Sequence, residues 1–115
     1  PDGLCELLCR LHDDYRVSKL LVTENGAAFK DEVIGGVVND SERQSYIQDH
    51  IAATLEARRR GVPVDGYFVW SLLDNFEWAS GFEKRFGIIH VDYDTLERTP
   101  KASSLWLTKY LTGAI

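Results

Sequence analysis

The 115-residue sequence has no apolar run approaching the roughly 18 residues that a membrane-spanning helix needs. Its first residues show no basic region followed by an apolar signal core. Cysteine occurs only at Cys5 and Cys9, four positions apart on a predicted helix, a spacing that suits buried thiols and not a disulfide framework. With no third cysteine, and with His12 and His90 lacking a companion at ligand spacing, neither a structural metal nor any other cofactor is expected. Positive charge is also short, since a net charge of -5 lacks the basic patch that neutralises phosphates. The one basic run, Arg58-Arg59-Arg60, stands before Gly61 at a predicted helix end, where cations complement the helix dipole. Internal repeats and low-complexity linkers are absent too. These absences point to a reduced, cytoplasmic protein with neither nucleic acid nor membrane as partner, and 44% hydrophobic against 27% charged residues is a globular composition.

What is present alternates. Leu4, Leu7, Leu8 and Leu11 recur at helical spacing, so Gly3 to about Tyr15 reads as an amphipathic helix. An apolar run, Lys19 to Val22, reads as a strand. After a polar, glycine-containing stretch from Lys30 to Asn39, Asp40 or Ser41 caps a second helix that carries Tyr46, Ile47, Ile51, Ala52 and Leu55 toward Arg60. Turn residues from Gly61 to Gly66 lead into Tyr67 to Trp70, a buried strand, followed by a long loop from Asp74 to Arg85. Gly87 to Tyr93 favours an extended chain, and Thr99-Pro100 precedes a last helix ending near Leu111, on which Trp106, Leu105, Leu107 and Leu111 read as core. His50, four residues after Tyr46, reads as structural. Helix, strand, helix, strand, long loop, helix is the order of an α/β protein with a parallel sheet.

The chemistry concentrates where strands end. Thr23-Glu24-Asn25-Gly26 puts a carboxylate at the close of one strand, and Trp70-Ser71-Leu72-Leu73-Asp74-Asn75-Phe76-Glu77-Trp78 puts carboxylates, an amide and two indoles after another. Carboxylate, amide and indole together suit a pocket for a polyhydroxylated ring, most simply a sugar, with Glu24 as candidate nucleophile. Asp74 and Asn75 are expected to order the loop through side-chain to backbone hydrogen bonds, and Asp92 and Asp94 to act similarly around Tyr93.

These two segments, with Lys84-Arg85-Phe86-Gly87-Ile88-Ile89-His90-Val91-Asp92-Tyr93 after them, resemble the C-terminal part of glycoside hydrolase family 1, the retaining β-glucosidases and β-galactosidases. The resemblance implies a (β/α)₈ TIM barrel, of which residues 1–115 supply about the last two β/α units of a single domain. A whole barrel takes about 250 residues. It also implies that Glu24 is the nucleophile, Glu77 accepts hydrogen bonds from sugar hydroxyls, Trp70 lies under the sugar ring, Trp78 donates from its ring nitrogen, Phe86 walls the exocyclic hydroxymethyl group and Asn25 also binds substrate. The family's acid/base segment, Thr-x-Asn-Glu-Pro, has no counterpart in this sequence. The implied partners are a β-glucoside or a related disaccharide or aryl glycoside, and the N-terminal part of the same barrel. Glu77-Trp78 resembles the type that takes unphosphorylated sugars. The alternative is a non-catalytic fragment that folds or self-associates alone and binds sugar weakly.

Overall fold

A computed structural model describes residues 1–114. The chain divides into two compact units, Pro1–Asn25 with Tyr46–Val69, and Gly26–Ser45 with Trp70–Ile115.

The first unit holds helix α1 (Asp2–Tyr15), strand β1 (Leu20–Asn25), most of helix α2 (Ser41–Arg59) and strand β4 (Val64–Val69). The helix that the leucine spacing predicts is present, but of the four leucines only Leu8 is buried and Leu7 is 53% exposed, because the buried stripe runs through Cys5. Cys5 and Leu8 on α1 join Val22, Ala53, Ala57, Val62 and Val64 in one apolar core, with Leu4, Cys9, Leu20 and Tyr67 packed on it. Removing a side chain such as Leu8 or Val64 from water contributes about 1.5–3 kcal/mol. Burial also pushes the Cys5 thiol above its ordinary pKa, in keeping with an unreactive core cysteine. α1 ends at Arg16, whose backbone is left-handed (φ 51°) and whose N–H donates to the His12 carbonyl at 2.8 Å. β1 and β4 run parallel, with Leu20 opposite Val64 and Asn25 opposite Val69. β1 begins where the Leu20 N–H reaches the Pro63 carbonyl, 2.8 Å away. Arg58 and Arg59 lie in the last turn of α2, the position expected of the basic run, and Glu56 binds both Arg59 and Arg60. His50 stacks on Tyr46, ring centroids 3.9 Å apart, and its Nδ1 meets the Tyr46 carbonyl at 2.7 Å, a structural role.

The second unit holds a short hairpin, β2 (Val33–Ile34) with β3 (Val37–Val38), a second antiparallel pair, β5 (Ile89–Val91) with β6 (Arg98–Pro100), and helix α3 (Ala102–Thr112). Both hairpins replace what the sequence offers as irregular or single extended segments, because two- and three-residue strands are too short to show a period. The cap of α2 also differs from a simple side-chain cap. The Asp40 carbonyl accepts from the Gln44 N–H at 3.0 Å, but its carboxylate turns to α3, accepting from the Ser103 N–H at 2.8 Å and from the Ser103 hydroxyl. One aspartate thus satisfies an orphan donor in the first turn of a helix remote in sequence. The expected core on α3 is not formed, since Trp106 and Leu107 are half-buried while Leu105 and Leu111 are 56% and 73% exposed. Among the described residues the chain forms no closed barrel, and no helix is long and apolar enough to cross a membrane.

Candidate active site

Glu24 is the next-to-last residue of β1 and is exposed, while Val22, two residues earlier, enters the core. Asn25 follows, half-buried, and its Oδ1 accepts a hydrogen bond of 2.7 Å from the Tyr67 hydroxyl on β4. Burial raises the Tyr67 phenol well above its ordinary pKa, with the Tyr46 charge a smaller influence, so Tyr67 stays protonated and donates. Asn25 is thereby held with its amide oxygen turned to Tyr67.

Trp70, Glu77, Trp78 and Phe86 all belong to the second unit. Trp70 is half-buried and joined to Ser71 by a cis peptide. The backbone of Gly26 passes so close to it that a Cβ at Gly26 would lie 1.8 Å from the Trp70 carbonyl oxygen. The glycine of Thr-Glu-Asn-Gly is therefore a steric requirement. Ser71 donates its N–H to the Phe86 carbonyl at 3.1 Å, tying the chain beside Trp70 to Phe86. Glu77 and Trp78 share one tight turn, in which the Glu77 N–H donates to the Gly81 carbonyl at 2.7 Å and its carbonyl accepts from the Ser80 N–H at 2.8 Å. Glu77 is half-buried, whereas Trp78 has positive φ (44°) and is 82% exposed, so its indole faces outward. Phe82 packs on Phe76 and Tyr93, with ring centroids 5.4 and 4.5 Å away, and Arg85 lies 4.4 Å over the Tyr93 ring.

Beneath this loop lies a set of charges that the sequence did not announce. Asp31, Asp40, Arg43, Asp74 and Lys101 have side chains at most 2% exposed, and Arg85 joins them at 19%. Lys101 Nζ lies 2.6 Å from Asp31, 2.8 Å from Asp74 and 2.6 Å from the Gly87 carbonyl. Arg43 forks onto both Asp31 oxygens at 2.9 Å, reaches Asp40 at 2.6 Å and donates to the Arg85 carbonyl at 2.8 Å. Burial works against the Arg43 charge, but Asp31 and Asp40 more than offset this and raise its pKa above the ordinary arginine value. Three acids face three bases, so the buried set is formally neutral. His90, also buried, is depressed below its usual pKa by burial and then by Arg85, and therefore adds no charge near neutral pH. Asp74 does order the loop, as its sequence position suggests, and so does Asn75, which donates to the Leu73 carbonyl at 2.9 Å. Asp92 accepts from the N–H groups of Asp94 and Thr95, both at 2.9 Å. Among the described residues no three His, Cys, Asp or Glu side chains are arranged to hold a metal ion.

Comparison with known proteins extends this picture over nearly the whole chain. Residues 1–113 match the family model Glycosyl hydrolase family 1. Beta-glucosidase A of Acetivibrio thermocellus is 49% identical over 107 residues, which is 92% of this chain and 24% of that protein. A 6-phospho-beta-galactosidase of Streptococcus mutans is 43% identical over 110 residues, 95% of this chain and 24% of that protein. Among solved structures, the beta-glucosidase of Thermotoga maritima in complex with castanospermine superposes with a TM-score of 0.96 at 46% identity, covering 97% of this chain and 26% of that one. The chain thus spans about a quarter of the length of these relatives and has the fold of part of a TIM barrel.

Proposed function

This chain belongs to glycosyl hydrolase family 1, and from that premise we propose that it is a segment of one barrel domain of a retaining β-glycosidase acting on unphosphorylated β-glucosides. The observation that carries the reading is the position of Glu24, exposed at the C-terminal end of a parallel strand. Barrel enzymes keep their catalytic groups at that end of the strands.

In this reading Glu24 attacks the anomeric carbon in its ionised form and makes a covalent glycosyl-enzyme, which water then hydrolyses. A second carboxyl group, about 5–5.5 Å from the nucleophile, protonates the leaving oxygen and afterwards activates the water. That acid comes from the part of the barrel outside these residues, so the 115-residue chain alone is expected to be inactive. Glu77 accepts hydrogen bonds from sugar hydroxyls. Trp70 offers an apolar face to the C–H side of the ring, Trp78 donates from its indole N–H, and Phe86 lines the hydroxymethyl side. Asn25 contributes its amide N–H₂, the end that Tyr67 leaves available. The identity to Beta-glucosidase A supports an unphosphorylated glucoside, with the 6-phospho-beta-galactosidase as the competing relative.

The test replaces Glu24 by Gln in the complete barrel protein and follows an aryl β-glucoside. Loss of the nucleophile is expected to lower kcat by at least about 10³-fold with the substrate still bound. Turnover within a few-fold of the parent rules Glu24 out, and preference for the 6-phospho substrate overturns the sugar assignment.

A further inference from the structure

One buried carboxylate joins the two ends of the loop that carries Glu77 and Trp78. Asp74 stands at its start, with a fully buried side chain, and reaches across to its end. Asp74 Oδ1 accepts from the Gly87 N–H at 3.0 Å and from Lys101 Nζ at 2.8 Å. Oδ2 accepts from Arg85 Nη1 at 2.7 Å and from the Val91 N–H at 3.3 Å. The Asp74 N–H itself donates to the Ile89 carbonyl at 3.0 Å. Gly87 permits this approach, because a Cβ there would lie 2.2 Å from the Asp74 nitrogen and 2.8 Å from its Oδ1. Asn75, Arg85 and Phe86 are also tied directly, to Tyr93, to Phe29 and Arg43, and to Ser71, but between Phe76 and Lys84 the described bonds are short-range backbone ones from Glu77 to Glu83, with the aromatic contacts of Phe82 to Phe76 and Tyr93. Among the described residues the turn bearing Glu77 thus has no buried hydrogen-bonded anchor of its own.

We propose that Asp74, with Arg85 as its clamp, is a positioning residue for sugar recognition: it joins both feet of the Asn75–Phe86 loop and thereby fixes where Glu77, Trp78 and Phe86 stand. This deepens the glycosidase reading and rests on it. A carboxylate suits the task because it takes four donors at once, two of them cationic, in a site closed to water. An amide of the same shape cannot accept at both ends, and leaves Arg85 without its acid partner.

The experiment compares Asp74→Asn and Arg85→Met in the complete barrel protein. Arg85→Met is included because Arg85 is partly exposed and its loss is the gentler one, should Asp74→Asn fail to fold. Two readouts are taken on folded protein. The first is chymotrypsin cleavage after Phe76, Trp78 or Phe82, with and without excess glucose; it needs no turnover. Both variants are expected to be cut about tenfold faster than the parent and to lose the protection that glucose gives it. The second is the kinetics of an aryl β-glucoside at equal concentrations of folded enzyme, where KM is expected to rise about tenfold or more, with kcat changed less. A purely structural role lowers the folded fraction and leaves KM and the loop's cleavage rate as in the parent, and that result overturns the proposal. If the parent itself neither turns over the glucoside nor gains protection from glucose, the glycosidase reading falls. Accelerated cleavage in the variants then still reports the clamp, so the two failures are distinct.

Discussion

The two units of this chain are held together by opposite means. In the first, the buried set is nearly all apolar: Cys5, Leu8, Val22, Ile47, Ala53, Ala57, Val62 and Val64, with Thr54 the polar exception. In the second, Val38, Ile88 and Val91 are outnumbered by Asp40, Arg43, Ser71, Asp74, His90, Lys101 and Ser103. The difference follows from what each unit is made of. Helices and a parallel strand pair satisfy their own backbone groups and present apolar side chains to one another. The second unit is mostly loop, whose backbone donors and acceptors need partners, and buried charges provide several at fixed angles. Apolar packing is tolerant of small displacement, whereas a hydrogen-bonded ion network permits one arrangement. A loop held in one arrangement is better served by the second kind of interior.

The sharpest break of this contrast is Lys101→Met in the complete barrel protein. It leaves Asp31 and Asp74 buried without their shared cation, and the loss expected for an uncompensated buried charge is about 3–5 kcal/mol. The midpoint of denaturant unfolding measures it. If the second unit instead depended on apolar packing, a methionine would be tolerated and the midpoint would scarcely move. Leu8→Ala probes the first unit in the same assay. It removes a side chain that is 4% exposed, and the expected loss is smaller, about 2 kcal/mol, because the neighbouring apolar side chains can settle partly into the space. A loss for Leu8→Ala exceeding that for Lys101→Met would reverse the assignment of the two interiors.

The same contrast explains what could be read in advance. The first unit was legible because its signals are local: leucines at helical spacing fixed α1, and an apolar run followed by Thr-Glu-Asn-Gly fixed the end of β1 and singled out Glu24. Glu77, Trp78 and Trp70 were legible as a motif, and Asp74 as a loop-ordering residue. Its partners were not. Lys101 and Asp31 are 70 positions apart, and neither Asp31 nor Arg43 carries any pattern that separates a buried ion from a solvated one. The β2–β3 hairpin escaped for a different reason, since two residues per strand are too few to alternate. Leu105 and Leu111 misled in the other direction: apolar residues on a helix predict a covered face, and these are exposed.

The smallest effect is expected where charge lies at the surface of the first unit. Glu56 is bound by Arg59 at 2.7 and 2.8 Å and by Arg60 at 2.8 Å. The hydrogen bonds from Arg59 and then Arg60 lower its pKa from 4.5 to about 2. A carboxylate whose pKa is depressed on folding adds stability above its unfolded value and loses it as the pH falls through its folded one. Glu56→Gln should therefore lower the unfolding midpoint slightly at neutral pH, and the gap from the parent should close between about pH 4.5 and pH 2. Both arginines and Glu56 meet solvent, so added salt should also narrow the gap at neutral pH. The salt dependence separates this pair from the buried network, because ions in solution do not reach Lys101 and Asp74. A Glu56→Gln effect as large and as salt-insensitive as that of Lys101→Met would mean that charge supports both units alike, and that the division between an apolar interior and an ionic one does not hold.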